Sequence, residues 1–253
     1  MSSAQPQVSV ILATHRDDGF LDAAIQSILD QKGIDFELIV VANNCTDDLW
    51  TKIQQLKDPR IRSFRTQIPQ LSFNLNFALD QARGELIARM DSDDISQPDR
   101  LKFQYEFMRK HPEVAVLGSQ VQLIDLHGKV IGTRELPLTH KEIVRRMKCS
   151  NCLCHPSVMF RKSQILGLGG YLGGRQSEDY QLWLRGIAEK KLVFGNLPET
   201  LLQYRVNPNS AQGSPLAYSE MVGHFAQLFL EYKTWYFFVG LSVALLKRLK
   251  KFF

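Results

Sequence analysis

The residues with the most chemistry in them are Arg89-Met90-Asp91-Ser92-Asp93-Asp94. They follow Glu85-Leu86-Ile87-Ala88, which reads as a buried strand introduced by Gly84. They precede Pro98, which presets φ for a first helical turn and sets Asp99 near the positive end of that helix. Three carboxylates at the carboxyl end of a strand repel one another and lose hydration, a cost that a scaffold alone has little reason to carry. A divalent cation removes that cost. Carboxylates at i and i+2 in a turn can meet one hard cation and leave positions open for water or phosphate oxygens. The competing reading is a solvated acidic turn that caps the next helix.

The elements around this turn decide between the two. Val8 to Ala13 is a continuous apolar run suited to a buried parallel strand, followed by the polar loop Thr14 to Asp18 and a helix over Phe20 to Gln31. Glu37 to Ala42 is a second buried strand that ends in Asn43-Asn44-Cys45-Thr46-Asp47-Asp48. Leu49 to Leu56 reads as a helix, Ile61 to Phe64 as a short strand, and Ser72 to Arg83 as a helix that Gly84 stops. This alternation predicts an α/β fold with a Rossmann-like, mostly parallel sheet flanked by helices. In such sheets ligands bind outside the carboxyl ends of the strands. Thr14-His15, Asn43 and Asp91 to Asp94 all fall at those ends, so three separated polar sites converge on one crevice.

After a helix from Pro98 to Lys110 the pattern changes. Val114 to Leu117 and Val121 to Ile124 read as strands, with a hairpin turn at Leu126 to Lys129. Further elements are a helix over Thr139 to Lys148, a strand over Ser157 to Arg161, a helical turn at Ser163 to Leu166, a glycine-rich loop from Gly167 to Gly174, an amphipathic stretch from Glu178 to Lys190 and a last strand over Leu201 to Val206. No linker precedes about residue 212, so residues 1–212 form one unit and 213–253 a C-terminal helical extension.

Composition narrows the function. The 253 residues are 44% hydrophobic, enough for a substantial core, and carry a net charge of +5 from 31 basic and 26 acidic side chains. Lys247, Arg248, Lys250 and Lys251 match four of those five charges, so the body is nearly neutral and a nucleic-acid footprint is not expected. The four cysteines are few for a secreted disulfide scaffold. Cys149, Cys152, Cys154 and His155 bring zinc to mind, but no second ligand knuckle accompanies them. Cys152 and Cys154 are expected on one face of an extended strand, as small buried apolar groups in a reducing cytoplasm. No signal peptide precedes Val8.

Six ordered segments resemble family 2 glycosyltransferases of the GT-A fold: Val8 to Arg16, Glu37 to Asn43, Ala82 to Glu85, Arg89 to Asp94, Pro98 to Leu101 and Glu178 to Arg185. The match runs from Val8 to about Ser210. The resemblance implies an inverting enzyme that moves a hexosyl or N-acetylhexosaminyl group from a nucleotide diphosphate sugar, a UDP-sugar, to an acceptor hydroxyl, with Mg or Mn as cofactor. It implies donor contacts at Ala13, Thr14, His15 and Asn43, with His15 where relatives often carry a stacking Tyr. Asn43 stands for an Asp that accepts a hydrogen bond from uracil, which an amide oxygen can also do. Asp91 would contact ribose or a metal-bound water, and Asp93 would ligate the metal. Asp94 is left between pairing with Arg100 behind the metal and capping the helix. Asp179 matches the family's general base, against the plainer reading of a helix N-terminal charge that Glu178 could equally supply. Glu178 and Trp183 fall on the acceptor side, although a Trp at helical spacing is more often core. His155 reads as a structural histidine. Tyr204 to Asn207 resembles a donor-closing loop in which relatives often carry His at the position of Asn207.

The tail adds a partner. Trp235 to Leu246 is an uncharged run too short to span a bilayer, and the basic cluster follows it. That pairing suits a helix lying in the interface of an anionic membrane, against the alternative of a helix packed on the body or on a second chain. The expected function is therefore metal-dependent inverting sugar transfer to a glycan or lipid-linked acceptor in cell-surface glycan synthesis, by a peripheral protein on the inner membrane face. A sugar nucleotidyltransferase would need a glycine-rich phosphate loop after the first strand, and Thr14 to Gly19 does not supply one. An NAD oxidoreductase would need G-x-G-x-x-G there. A catalytically silent nucleotide-sugar-binding module has no need of Asp91, Asp93 and Asp179 together.

Overall fold

The computed structural model describes residues 5–207 and 214–250. Four parallel strands, β1 (Val8–Thr14), β2 (Phe36–Asn43), β3 (Ile61–Thr66) and β4 (Leu86–Met90), stand in the order β3-β2-β1-β4. β1 and β2 are mostly apolar because both their faces are covered, whereas the edge strand β3 mixes apolar with polar residues and is half-buried throughout. Val10, Leu12, Leu38, Val40, Ala88 and Met90 pack with helices α1 (Leu21–Leu29), α2 (Asp47–Gln54) and α4 (Arg100–Lys110). Ile11, Ile39, Val41 and Ile87 point to the other side, towards α3 (Leu71–Gln81) and the helices of the second half. Strand order reverses at β1, with β2 and β4 on its two sides, and a crevice opens there beyond the carboxyl ends. The expected α/β sheet with flanking helices is therefore the one formed.

The second half extends the same sheet with reversed direction. β8 (Met159–Arg161) runs antiparallel to β4 and to β6 (Val116–Ile124), β9 (Phe194–Arg205) lies parallel to β6, and β5 (Ile95–Ser96) and β7 (Val130–Arg134) complete it. The two strands expected over Val114 to Ile124 are one, because Gly118, Ser119 and Gln120 stay in the ladder through a register shift opposite Pro198 and Glu199. The last strand accordingly begins at Phe194 rather than Leu201. The fourth helix starts at Arg100, two residues after Pro98, with no side-chain cap hydrogen bond from Asp99, and α5 (His140–Met147) and α6 (Lys162–Gly167) follow it.

The seam between the parallel and antiparallel parts is stapled by buried side chains of α4. Arg100 Nη2 donates to Arg89 O at 2.8 Å and Val158 O at 3.3 Å. Gln104 Nε2 donates to Leu117 O at 3.0 Å and Ser157 O at 2.8 Å. Cys152 and Cys154 do not share a face. Cys152 packs in the layer with α3, Cys154 in the layer with α4, and all four cysteines are free.

The chain ends in an antiparallel pair, α8 (Pro215–Tyr232) and α9 (Trp235–Lys250), packed on α7 (Glu178–Ala188). Close contact is possible because Gly240 has no side chain: a Cβ there would lie 2.2 Å from the Phe225 ring. Phe237, Gly240 and Ala244 are buried, whereas Trp235, Phe238, Leu245, Leu246 and Leu249 are exposed on one side at helical spacing. The run expected to need cover is thus covered along one stripe by the body and bare along another. Lys247 donates to Cys149 O and Arg248 to Ser219 Oγ, while Lys251 lies outside the described residues, as does the expected domain boundary near residue 212. Among the described residues no helix is long and apolar enough to cross a membrane.

Candidate active site

A cavity of about 770 Å³ opens at the β1–β4 switch. Ala13, Thr14, His15 and Asn43 line it together with Asp91, Ser92, Asp93, His155, Glu178 and Asp179. Thr14 and Asn43 are buried at the tips of β1 and β2, while His15 is exposed in the loop beyond. Thr14 Oγ1 donates to Arg16 O at 2.8 Å, which shapes that loop. Sequence positions scattered over more than 160 residues thus meet in one place.

Asp91, Asp93 and Asp94 offer carboxylate oxygens within 4.8 Å of one another. Burial, reinforced by the negative charge of Asp91, pushes the Asp93 carboxyl up to about 6. Asp94 is buried, and burial with the charges of Asp91 and Asp93 pushes its carboxyl well above the ordinary range. Its Oδ1 accepts from Arg205 N at 2.7 Å, but its Oδ2 has no hydrogen-bond partner. The expected pairing of Asp94 with Arg100 is not formed, since Arg100 is turned to the seam carbonyls, and Asp94 does not cap α4. A partly buried cluster of hard oxygens, one of them buried without a donor, fits a hard divalent cation.

Across the cavity, Asp179 is half-buried in the first turn of α7. Its Oδ2 accepts from Asn151 Nδ2 at 2.7 Å and its Oδ1 from Tyr180 N at 2.7 Å. Burial raises its carboxyl above the ordinary value, and these two bonds oppose the rise. Glu178, deeper, is pushed up to about 8 by burial and by Asp179. His155 Nε2 meets Tyr171 Oη at 2.9 Å and its Nδ1 lies 3.7 Å from Glu178. Burial and the charge of Arg89 hold His155 well below its usual range, so it is a neutral, hydrogen-bonded histidine, as expected, but one that backs the site. Trp183 does not line the cavity. It is fully buried, with its ring edge-on to His155 at 6.3 Å, and belongs to the core.

Two residues quoted in the motifs prove to have site positions that the sequence did not assign. Arg89 is buried between the acidic clusters, paired through Nη1 with Asp91, while its Nε has no hydrogen-bond partner. A charged residue inside Leu86-Ile87-Ala88-Arg89-Met90 was the available signal, because a buried guanidinium requires anions. Arg205 Nε donates to Asp93 O at 2.8 Å and Nη1 to Asp125 O at 2.8 Å, with its guanidinium 4.1 Å above the Phe20 ring. It ties β9 to the aspartate turn. Asn151 also escaped notice, having no motif around it.

Comparison with known proteins agrees with this geometry. Residues 9–166 match the family described as Glycosyl transferase family 2. The O-antigen biosynthesis glycosyltransferase WbnJ of Escherichia coli is 41% identical over 90% of this chain and 90% of its own length. A UDP-Gal:alpha-D-GlcNAc-diphosphoundecaprenol beta-1,3-galactosyltransferase of the same organism is 29% identical over 89% and 84%. Among solved structures, S. aureus TarS 1–349 in complex with UDP-GlcNAc superposes with a TM-score of 0.71 at 17% identity, covering 96% of this chain and 73% of that one. The mannosyltransferase PcManGT from Pyrobaculum calidifontis, in complex with GDP-Man and Mn2+, gives 0.68 at 16%, covering 97% and 74%. These two share the fold. The strand-end crevice, the aspartate turn and the acidic start of α7 are therefore features of a chain that belongs to glycosyl transferase family 2.

Proposed function

We propose that this protein transfers a sugar from a UDP-sugar to a hydroxyl of a lipid-linked glycan acceptor, with inversion at the anomeric carbon, in the assembly of a cell-surface polysaccharide. The observation that carries the reading is one cavity lined by Asp91, Asp93 and Asp179 together, with Arg89 paired to Asp91 beside them. Its volume suits a nucleotide sugar. The names of the relatives supply the chemical class: one acts in O-antigen biosynthesis and another on a diphosphoundecaprenol-linked sugar.

In this reading Ala13, Thr14, His15 and Asn43 hold the nucleoside. Asp91 and Asp93 would hold a Mg or Mn ion, which when bound offsets the diphosphate charge and eases its departure. Asp179 takes the proton of the acceptor hydroxyl. The acceptor oxygen then forms its bond to the anomeric carbon from the face opposite the diphosphate, which leaves with the old bonding pair. A carboxylate there also opposes the developing oxocarbenium charge, by the geometry of hydrolytic inversion with a sugar hydroxyl in place of water. Glu178, kept protonated by burial, adds no second negative charge beside it and can donate a hydrogen bond to a sugar oxygen.

The bare stripe of α9 supports docking on the inner face of an anionic membrane. Trp235 is 74% and Leu249 55% exposed, and basic residues adjoin them. Deleting residues 232–253 would also strip Phe237 and Ala244 from the core, so the informative variant is Leu245→Ser/Leu246→Ser/Leu249→Ser. It should lose co-sedimentation with anionic vesicles, and the wild type should detach as salt rises. Wild-type protein that ignores such vesicles at low salt would overturn the docking. For the reaction, UDP-sugars should be screened with Mn and a lipid-diphosphate acceptor, and the product anomer read by NMR. Binding without transfer to any acceptor would favour the silent module, and a retained anomer would refute inversion.

A further inference from the structure

The loop ahead of Glu178 and Asp179 is held by a helix from the far end of the chain. At its turn Gly174 has φ +87°, and a Cβ there would stand 2.9 Å from Glu178 N, so only glycine fits. The next three residues all bond to Glu220 of α8. Arg175 N donates to its Oε1 at 2.7 Å, Gln176 N to its Oε2 at 3.1 Å, and Ser177 Oγ to its Oε2 at 2.7 Å. With its own proton given to Glu220, the Ser177 hydroxyl accepts from His224 Nε2 at 3.0 Å. Burial disfavours the Glu220 charge, but the bonds from Arg175, Ser177 and Gln176 outweigh it and hold the carboxyl below its usual range.

Ser177 is the N-cap residue of α7, yet its side chain caps nothing. A serine in that position ordinarily accepts from an amide of the first turn. Here the hydroxyl is turned outward to α8, so the start of the helix that carries Asp179 is fixed from another element. Arg175 and Gln176 line the cavity beside Glu178 and Asp179, which puts the fastened loop on the acceptor side.

We propose that Glu220 is a positioning residue for the acceptor: by holding Arg175, Gln176 and Ser177 it sets the wall of the cavity against which the acceptor sugar lies. This rests on the glycosyl-transfer reading above and makes α8 a working part of the site. In Glu220→Ala the amides of Arg175 and Gln176 should exchange hydrogen about tenfold faster, and the KM for acceptor should rise about tenfold, as expected for losing bonds to a charged acceptor. Donor affinity by calorimetry should stay within about twofold, since none of the residues that Glu220 holds is among the proposed donor contacts. Ser177→Ala keeps both backbone bonds and should give a smaller rise in KM. Leu228→Ala loosens the packing of α8 without touching Glu220; it should lower the thermal midpoint yet leave the acceptor KM unchanged at 25 °C. Unchanged exchange at 175–176 together with a wild-type acceptor KM in Glu220→Ala would overturn the proposal, as would an equal rise in KM in Leu228→Ala. Wild-type protein that transfers no sugar would instead fail the glycosyl-transfer reading, and the exchange measurement, which needs no substrate, would still decide whether Glu220 holds the loop.

Discussion

The two acidic clusters that face each other across Arg89 solve the same electrostatic problem in different ways. Asp91, Asp93 and Asp94 crowd their charges beside Arg89 with one buried oxygen of Asp94 left unbonded, a strain that a cation from outside the chain would relieve. Glu178 and Asp179 settle theirs internally. One proton stays on Glu178, while Asn151, the Tyr180 amide and the first turn of α7 support a charge on Asp179. A site with an unbonded buried carboxylate oxygen and a site whose carboxylates are fully hydrogen-bonded or protonated are, on the proposed reading, suited to different ends of one reaction. The first suits a diphosphate and the second a hydroxyl.

Asp93→Ala should have the largest effect. Donor binding measured by calorimetry in Mn should lose its metal dependence altogether, because the diphosphate charge is then uncompensated. If Asp179→Asn removes metal-dependent binding equally well, the division of labour between the clusters is wrong. Asp179→Asn should instead bind donor within about twofold of wild type and transfer sugar about 10²–10⁴-fold more slowly. In the wild type the acid limb of kcat/KM should lie above 3.8, because burial raises the Asp179 carboxyl and only its ionised form accepts a proton. Activity therefore falls as pH drops through that raised value, and the limb should vanish in the variant. A wild-type rate in Asp179→Asn with a slow Glu178→Gln would mean that the neighbouring carboxylate is the base.

The smallest effect is on stability. Glu178 binds its proton more tightly folded, at about 8, than at the ordinary 4.5, so folding takes up a proton between those values and stability declines as pH rises through that window. Glu178→Gln imitates the protonated acid. Its thermal midpoint should exceed that of the wild type by a few degrees above pH 8 and match it below about 4.5. A gain at pH 4 as large as that at pH 9 would show that the benefit has nothing to do with charge.

How much of this was legible in the sequence differs between the halves. Val8 to Ala13 and Glu37 to Ala42 announce themselves because strands covered on both faces are mostly apolar, and their polar ends then mark the crevice. The second half pairs distant segments in both directions, and local pattern fails there. β5 is two residues long and exists only because Ile95 meets Gln203. β9 conceals its first half behind Pro198 and Glu199. For the site, the carboxylates of Asp91, Asp93 and Asp179 stand out by type and spacing, but their electrostatic partners do not. Arg205, Asn151 and Glu220 are ordinary polar residues until the fold brings them within hydrogen-bond reach. Trp183 erred in the opposite sense, since its size serves the core rather than a ligand.

The polar staple between β4 and β8 has an implication for how such chains diversify. Every bond that Arg100 and Gln104 make across the seam ends on a main-chain carbonyl, at Leu117, Ser157 or Val158. Carbonyls are common to all residues, so the side chains beyond the seam are free to change without unseating the donor half. On the proposed reading, a lineage could therefore exchange its acceptor while keeping its donor, provided that α4 retains its arginine and glutamine.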